Sequence, residues 1–167
     1  MKILAIDPGC KESAYIIFNT ATENILDHGH VGNYTLLGMC KDVSSGNFLA
    51  IERIEGFGMT AGQELFDTCF WSGRFCQAWQ ELHGANWQGV GRKSIKINVC
   101  GHSTAKDKDI REALIHRYGE QGTKSNPGKL YGISGHCWSA LAVAVTYLDK
   151  EILKKTWINP VLMLALI

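Results

Sequence analysis

Neither sign of charge dominates this chain. Seventeen Lys and Arg stand against sixteen Asp and Glu in 167 residues, a formal net charge of +1. A global field that would gather a polyanion is therefore missing. None of the six cysteines (Cys10, Cys40, Cys69, Cys76, Cys100, Cys137) stands in a C-x-x-C pair, which argues against a zinc ribbon. No secretory signal pattern opens the sequence. Most of the thiols lie in apolar runs and read as buried groups in a reducing cytoplasm, not as a disulfide framework. No apolar run reaches the ~20 residues of a membrane helix, so no membrane association is expected. Internal repeats and low-complexity tracts are lacking as well.

What is present fits one soluble domain with a sizeable core. Its charge is unevenly spread. Between positions 92 and 129 lie nine basic residues (Arg92, Lys93, Lys96, Lys106, Lys108, Arg111, Arg117, Lys124, Lys129) against four acids, Asp107, Asp109, Glu112 and Glu120. The remainder is net acidic. A basic half of this kind suits phosphate contact, and equally a solvated helix face.

The most informative stretch is Lys2-Ile3-Leu4-Ala5-Ile6-Asp7-Pro8-Gly9. An apolar strand runs into an aspartate and is stopped by Pro-Gly, placing Asp7 at a strand's carboxyl end, where ligand sites of α/β sheets form. Residues 13–18 and 24–31 continue an antiparallel meander. His28-Gly29-His30 within it reads as strand and loop, not as a metal pair. Residues 48–54 form a fourth strand, apolar enough to be buried on both faces, with Glu52 near its end. A carboxylate there needs a partner or a cation.

A helix is expected from about 60 to 83, with Leu65, Cys69, Cys76 and Trp79 on one stripe and Phe66 and Phe70 beside it. That face suits packing on the sheet and is wide enough to serve a dimer too. Residues 93–100 alternate polar and apolar and read as a fifth strand. Thr104 looks like the N-cap of the next helix, which carries Ile110, Leu114 and Tyr118 and stops at Gly119. A Gly/Ser/Asn/Pro loop over 120–132 precedes a final helix at about 137–155, buried nearly all round. The expected domain is 1–155, followed by an apolar tail, 156–167.

One edge of such a sheet would bring together Asp7, Glu52 and the opening turn of the last helix, where His136 and Ser139 share a face. Hard divalent cations take carboxylate oxygens, and two-metal nucleases hold ions about 3.5–4 Å apart between carboxylates and a phosphate. The plainer alternative pairs these acids with Arg53 or Lys11 and leaves His136 as a capping residue.

The Asp-Pro-Gly turn, Phe-Leu-Ala-Ile-Glu-Arg-Ile-Glu-Gly-Phe-Gly-Met at 48–59, the Lys-rich helix entry at 104–111 and His-Cys-Trp-Ser-Ala-Leu-Ala-Val-Ala at 136–144 together resemble the RuvC-type Holliday junction resolvases. With Gly-Thr-Lys-Ser-Asn-Pro-Gly at 122–128, the chain is similar to the phage and prophage branch. The resemblance runs collinearly from Met1 to about Asp149. It implies an α/β, RNase H-like fold with a five-stranded mixed sheet flanked by helices, a homodimer, and Mg²⁺- or Mn²⁺-dependent cutting of four-way DNA junctions. It places metal ligands at Asp7, Glu52, His136 and Ser139, and phosphate neutralisation at Lys106 or Lys108. Arg92, Lys93, Lys96, Arg111, Lys124 and Lys129 would contact DNA. Relatives usually carry Asp where Ser139 stands, so this site lacks one negative charge unless Glu55 supplies it. Three other readings stay open: a junction-binding protein that cuts poorly, a related RNA-processing nuclease, and an ATPase of the actin and sugar-kinase type.

Overall fold

A computed structural model describes residues 1–42, 44, 46–56, 58 and 60–153, without the side chains of the last two. Strands β1 (Lys2–Asp7), β2 (Glu12–Asn19) and β3 (Asn24–Gly32) form the antiparallel meander. Helix α1 (Asn33–Cys40) leads to β4 (Phe48–Arg53), which lies parallel to β1. Helix α2 (Gln63–His83) then returns the chain to β5 (Trp87–Gly91), parallel to β4. The five-stranded sheet has the order β3-β2-β1-β4-β5. Helices α3 (Arg92–Cys100) and α4 (Asp107–Tyr118) follow, then a short hairpin of β6 (Gly122–Thr123) and β7 (Asn126–Pro127). Helix α5 (Cys137–Tyr147) ends in a π-helical turn, Leu148–Leu153.

Alternation along β1 and β4 divides the core. Leu4, Ile6, Leu49 and Ile51 face α1 and α2, where Leu36, Phe75 and Trp79 cover them. Ile3, Ala5 and Ala50 face the other way, against α5. The small residues on both sides, Ala5, Ala14 and Ala50 in the sheet and Ala140 and Ala144 in the helix, let α5 lie close to the strands. That close seating carries the first turn of α5 to the carboxyl ends of β1 and β4.

The turn after β1 is held from beneath. Asn33 Nδ2 donates to Gly9 O at 2.9 Å, Gly9 N donates to Ser13 Oγ at 3.1 Å, and Ser13 Oγ donates to Asn33 Oδ1 at 2.6 Å. Ser13 and Asn33 are both buried, so this closed triangle replaces water at every vertex. A side chain at position 9 would meet Glu12 O at 2.3 Å, which is why glycine stands there.

Several expectations are corrected. Residues 93–100 are helix, not strand. Only Ile95 among them is fully buried, with Val99 and Cys100 half-buried beside the same core, while Ile97 is exposed. That is helical spacing. The fifth strand is instead Trp87–Gly91, whose two glycines hid it, because they let the Arg53 and Glu55 side chains lie over the backbone. Helix α1 was not foreseen. It is short, contains Gly38, and buries only Asn33, Leu36 and Cys40. On α2 the sheet is met by Phe75, Ala78 and Trp79, whereas Leu65, Phe66, Cys69 and Phe70 remain exposed. Helix α4 is capped by Lys106, whose backbone N–H donates to Asp109 Oδ2 at 2.7 Å, not by Thr104. Only Cys40 and Cys137 are buried thiols; Cys10, Cys76 and Cys100 are half-buried. Residues 154–155 of the expected last helix, and the tail, lie outside the described residues.

Substituting Asn33→Ala should remove two bonds of the triangle and leave the Ser13 hydroxyl hydrogen without its acceptor. Urea unfolding should then show a loss of about 2 kcal/mol; a loss under ~0.5 kcal/mol would mean the triangle is dispensable.

Candidate active site

The last parallel pair between β1 and β4 is Ile6↔Ile51, so Asp7 and Glu52 follow side by side. By the two-residue period of a strand they share the face of Ala5 and Ala50, the face that α5 covers. Helix α5 begins after the turn Ser134-Gly135-His136, and His136 Nδ1 lies 3.2 Å from Asp7 Oδ2. The His136 ring stacks on His30, with centroids 5.5 Å apart. His30 in turn stands 3.9 Å from Glu12. Thus His30, read from the sequence as plain strand, touches the site.

Glu52 pairs with Arg92, not with Arg53. Arg92 Nη1 donates to Glu52 Oε2 at 3.3 Å, and Nη2 is bonded to Asp107. Arg53 is engaged by Glu55 at 2.6 Å, and that carboxylate fills the space over Gly91. Glu55 therefore does not complete the Asp7–Glu52 pair here. Asp107, read from the sequence only as a first-turn helix acid, is the acid that reaches the site's edge.

Burial decides the electrostatics. Desolvation pushes the Glu52 carboxyl up to about 7; Arg92 pulls it down, and Asp7 pushes it up again. Burial likewise raises Asp7, against the opposing pull of His136 and Arg92. Two acids that resist ionisation side by side form a donor set that a hard dication suits. His136 and Arg92 hold that ground in this structure. Among the described residues no three His, Cys, Asp or Glu side chains converge on one point. The fit to a divalent ion thus rests on Asp7 and Glu52, with His136 adjoining and Ser139 a neutral oxygen one turn along.

A cleft of about 730 Å³ opens beside the pair, lined by Arg92, Asp107, Lys108, Arg111, His136, Trp138 and Ser139, among others. The Arg111 guanidinium lies 5.1 Å over the Trp138 ring. Arg92, Lys108 and Arg111 are thus the expected basic residues that the fold gathers here. Lys106 is exposed at the α4 cap, and Lys93 lines a separate groove with Arg53 and Glu55. Lys96 lies within α3, near Cys100. Lys124 lies at the tip of the hairpin. Lys129 Nζ reaches Thr22 O at 3.5 Å, at the opposite end of the sheet from Asp7. Sequence spacing could not separate these groups, because α3 was read as strand.

No protein-family model matches the chain, and no curated protein sequence matches it. Solved structures do. The chain is similar to the Thermus thermophilus RuvC structure, with a TM-score of 0.67 and 16% identity over 88% of this chain and 93% of that one. It is equally similar to T. thermophilus RuvC in complex with Holliday junction substrate, with a TM-score of 0.67 and 17% identity over 88% and 92%. The mixed five-stranded sheet with its flanking helices is the RuvC-like, RNase H-like fold.

Proposed function

We propose that this protein is a divalent-cation-dependent endonuclease that hydrolyses phosphodiesters in branched DNA, four-way junctions foremost. The observation that carries the reading is the placing of Asp7 and Glu52 side by side, facing the first turn of α5. The basic cleft next to them, and a RuvC neighbour in complex with a Holliday junction substrate, support branched DNA as the substrate. The segment Gly-Thr-Lys-Ser-Asn-Pro-Gly supports the phage and prophage branch.

In this reading Asp7 and Glu52 would hold Mg²⁺ or Mn²⁺, with His136 and Ser139 completing the set. The ions Asp7 and Glu52 would hold are of the class that can supply an activated water and charge neutralisation at the departing 3′ oxygen. His136 Nδ1 would orient Asp7 through the 3.2 Å contact, and the ring would either ligate the ion or relay a proton. Lys108 and Arg111, on the cleft wall, neutralise the phosphate, and Lys106 adds charge from the helix cap. The Trp138 ring, with the Arg111 guanidinium over it, forms part of the cleft wall. A second copy, seated on the exposed Leu65, Phe66 and Phe70 of α2, would supply the partner site for paired cuts. Among the described residues no helix is long and apolar enough to cross a membrane.

A second reading has its own support. Ser139 is neutral, and among the described residues no third acid joins the pair, so a protein that binds junctions and cuts them poorly fits the donor set as well.

Incubation of a labelled four-way junction with and without Mg²⁺ or Mn²⁺ separates the two. Cleavage should require the ion, and Asp7→Asn should lower it by roughly 10²-fold or more while leaving the gel shift intact. Cutting that survives this substitution would remove Asp7 from the chemistry; binding with no cutting under either ion would favour the second reading. Ser139→Asp adds a charged ligand and should tighten Mg²⁺ binding by about tenfold in a calorimetric titration. Unchanged or weaker binding would take Ser139 out of the ligand set.

A further inference from the structure

Arg92 is the first residue of α3, directly after Gly91 ends β5, and its guanidinium spans two acids from different elements. Nη1 donates to Glu52 Oε2 at 3.3 Å while Nη2 holds Asp107 Oδ1. The two acids differ in kind. The Glu52 side chain is 12% exposed and that of Asp107 is 82% exposed. Buried Glu52 cannot pass its charge to water and needs a cation at hand. Exposed Asp107 is solvated whether or not it is paired. A planar fork with two separate Nη donors can release one carboxylate and keep the other in fixed geometry. Arg92 also lines the cleft where the substrate phosphate is proposed to lie.

The geometry points to an exchange: Arg92 is the counter-ion of Glu52 in the cation-free protein, yields Glu52 to an incoming divalent ion, and stays tethered by Asp107 with Nη1 turned to a substrate phosphate. This rests on the reading of Asp7 and Glu52 as cation ligands. Arg92 is then a positioning residue with two settings, and Asp107 is the anchor that makes the second setting accessible. The cation's affinity is fixed by competition with a guanidinium already in place. A phosphate that draws Nη1 away uncovers Glu52, so DNA and cation each strengthen the binding of the other. No covalent step is involved; one partner of the Glu52 carboxylate replaces another.

Mn²⁺ binding, followed by the electron paramagnetic resonance signal of the free ion, tests this without DNA or turnover. Arg92→Met should bind Mn²⁺ about tenfold more tightly than the native protein. Asp107→Asn should bind it several-fold more weakly, and that deficit should shrink in the Arg92→Met, Asp107→Asn double variant, because the anchor matters only while Arg92 is present. An unchanged or lower affinity in Arg92→Met, or an undiminished Asp107 effect in the double variant, would overturn the exchange. Asp7→Asn serves as the reference for the site: if it binds Mn²⁺ as the native protein does, the ligand reading fails and the exchange with it. Should Arg92→Met not fold, a Mg²⁺ titration of the native protein decides. The Arg92 guanidinium NMR signals should shift as the ion binds, and their indifference to saturating Mg²⁺ would overturn the proposal.

Discussion

Two carboxylates forced together beneath a helix are the constraint on which the rest of this structure turns. Asp7 and Glu52 end neighbouring parallel strands on one face, mostly out of water, with too little positive charge nearby to settle both. Glu52, held near 7, keeps its proton in the folded chain over a range where an unfolded glutamate, near 4.3, has lost it. Folding stability therefore falls as pH rises from about 4.3 through 7. That penalty is complete above about pH 7. A cation that binds the folded site recovers it.

The surrounding architecture serves that pair. Alanines on both sides of the α5 interface bring His136 within reach of Asp7, and larger residues there would lift the helix away. The buried triangle of Gly9, Ser13 and Asn33 fixes the turn that directs Asp7. Parallel pairing of β1 with β4 then aligns the two acids side by side. The outer strands, β3 and β5, carry the accessories: His30 on one side and, just past Gly91, Arg92 on the other.

Much of this was legible in the sequence where local signals and tertiary demands agree. The meander, β4, the junction of Asp7 with Pro-Gly, and the small-residue start of α5 are of that kind, and they suffice to bring Asp7, Glu52 and His136 together. The signal failed where glycine or polar residues disguise an element. Trp87-Gln88-Gly89-Val90-Gly91 has little strand character alone and becomes a strand because β4 offers it an edge. Lys93 to Cys100 alternates like a strand yet buries residues at helical spacing, since only one side of it meets the core. That exchange also concealed the site's second half. With α3 recognised, Arg92 stands at a helix start beside the strand ends, and Asp107, fifteen residues on, faces it.

The most direct measurement is a ¹³C NMR titration of the Glu52 side-chain carboxyl, with and without saturating Mg²⁺. The account predicts titration near pH 7 in the ion-free protein and an ionised carboxylate already at pH 5 when Mg²⁺ is present. A Glu52 that titrates near pH 4 in both samples, indifferent to the ion, would contradict it.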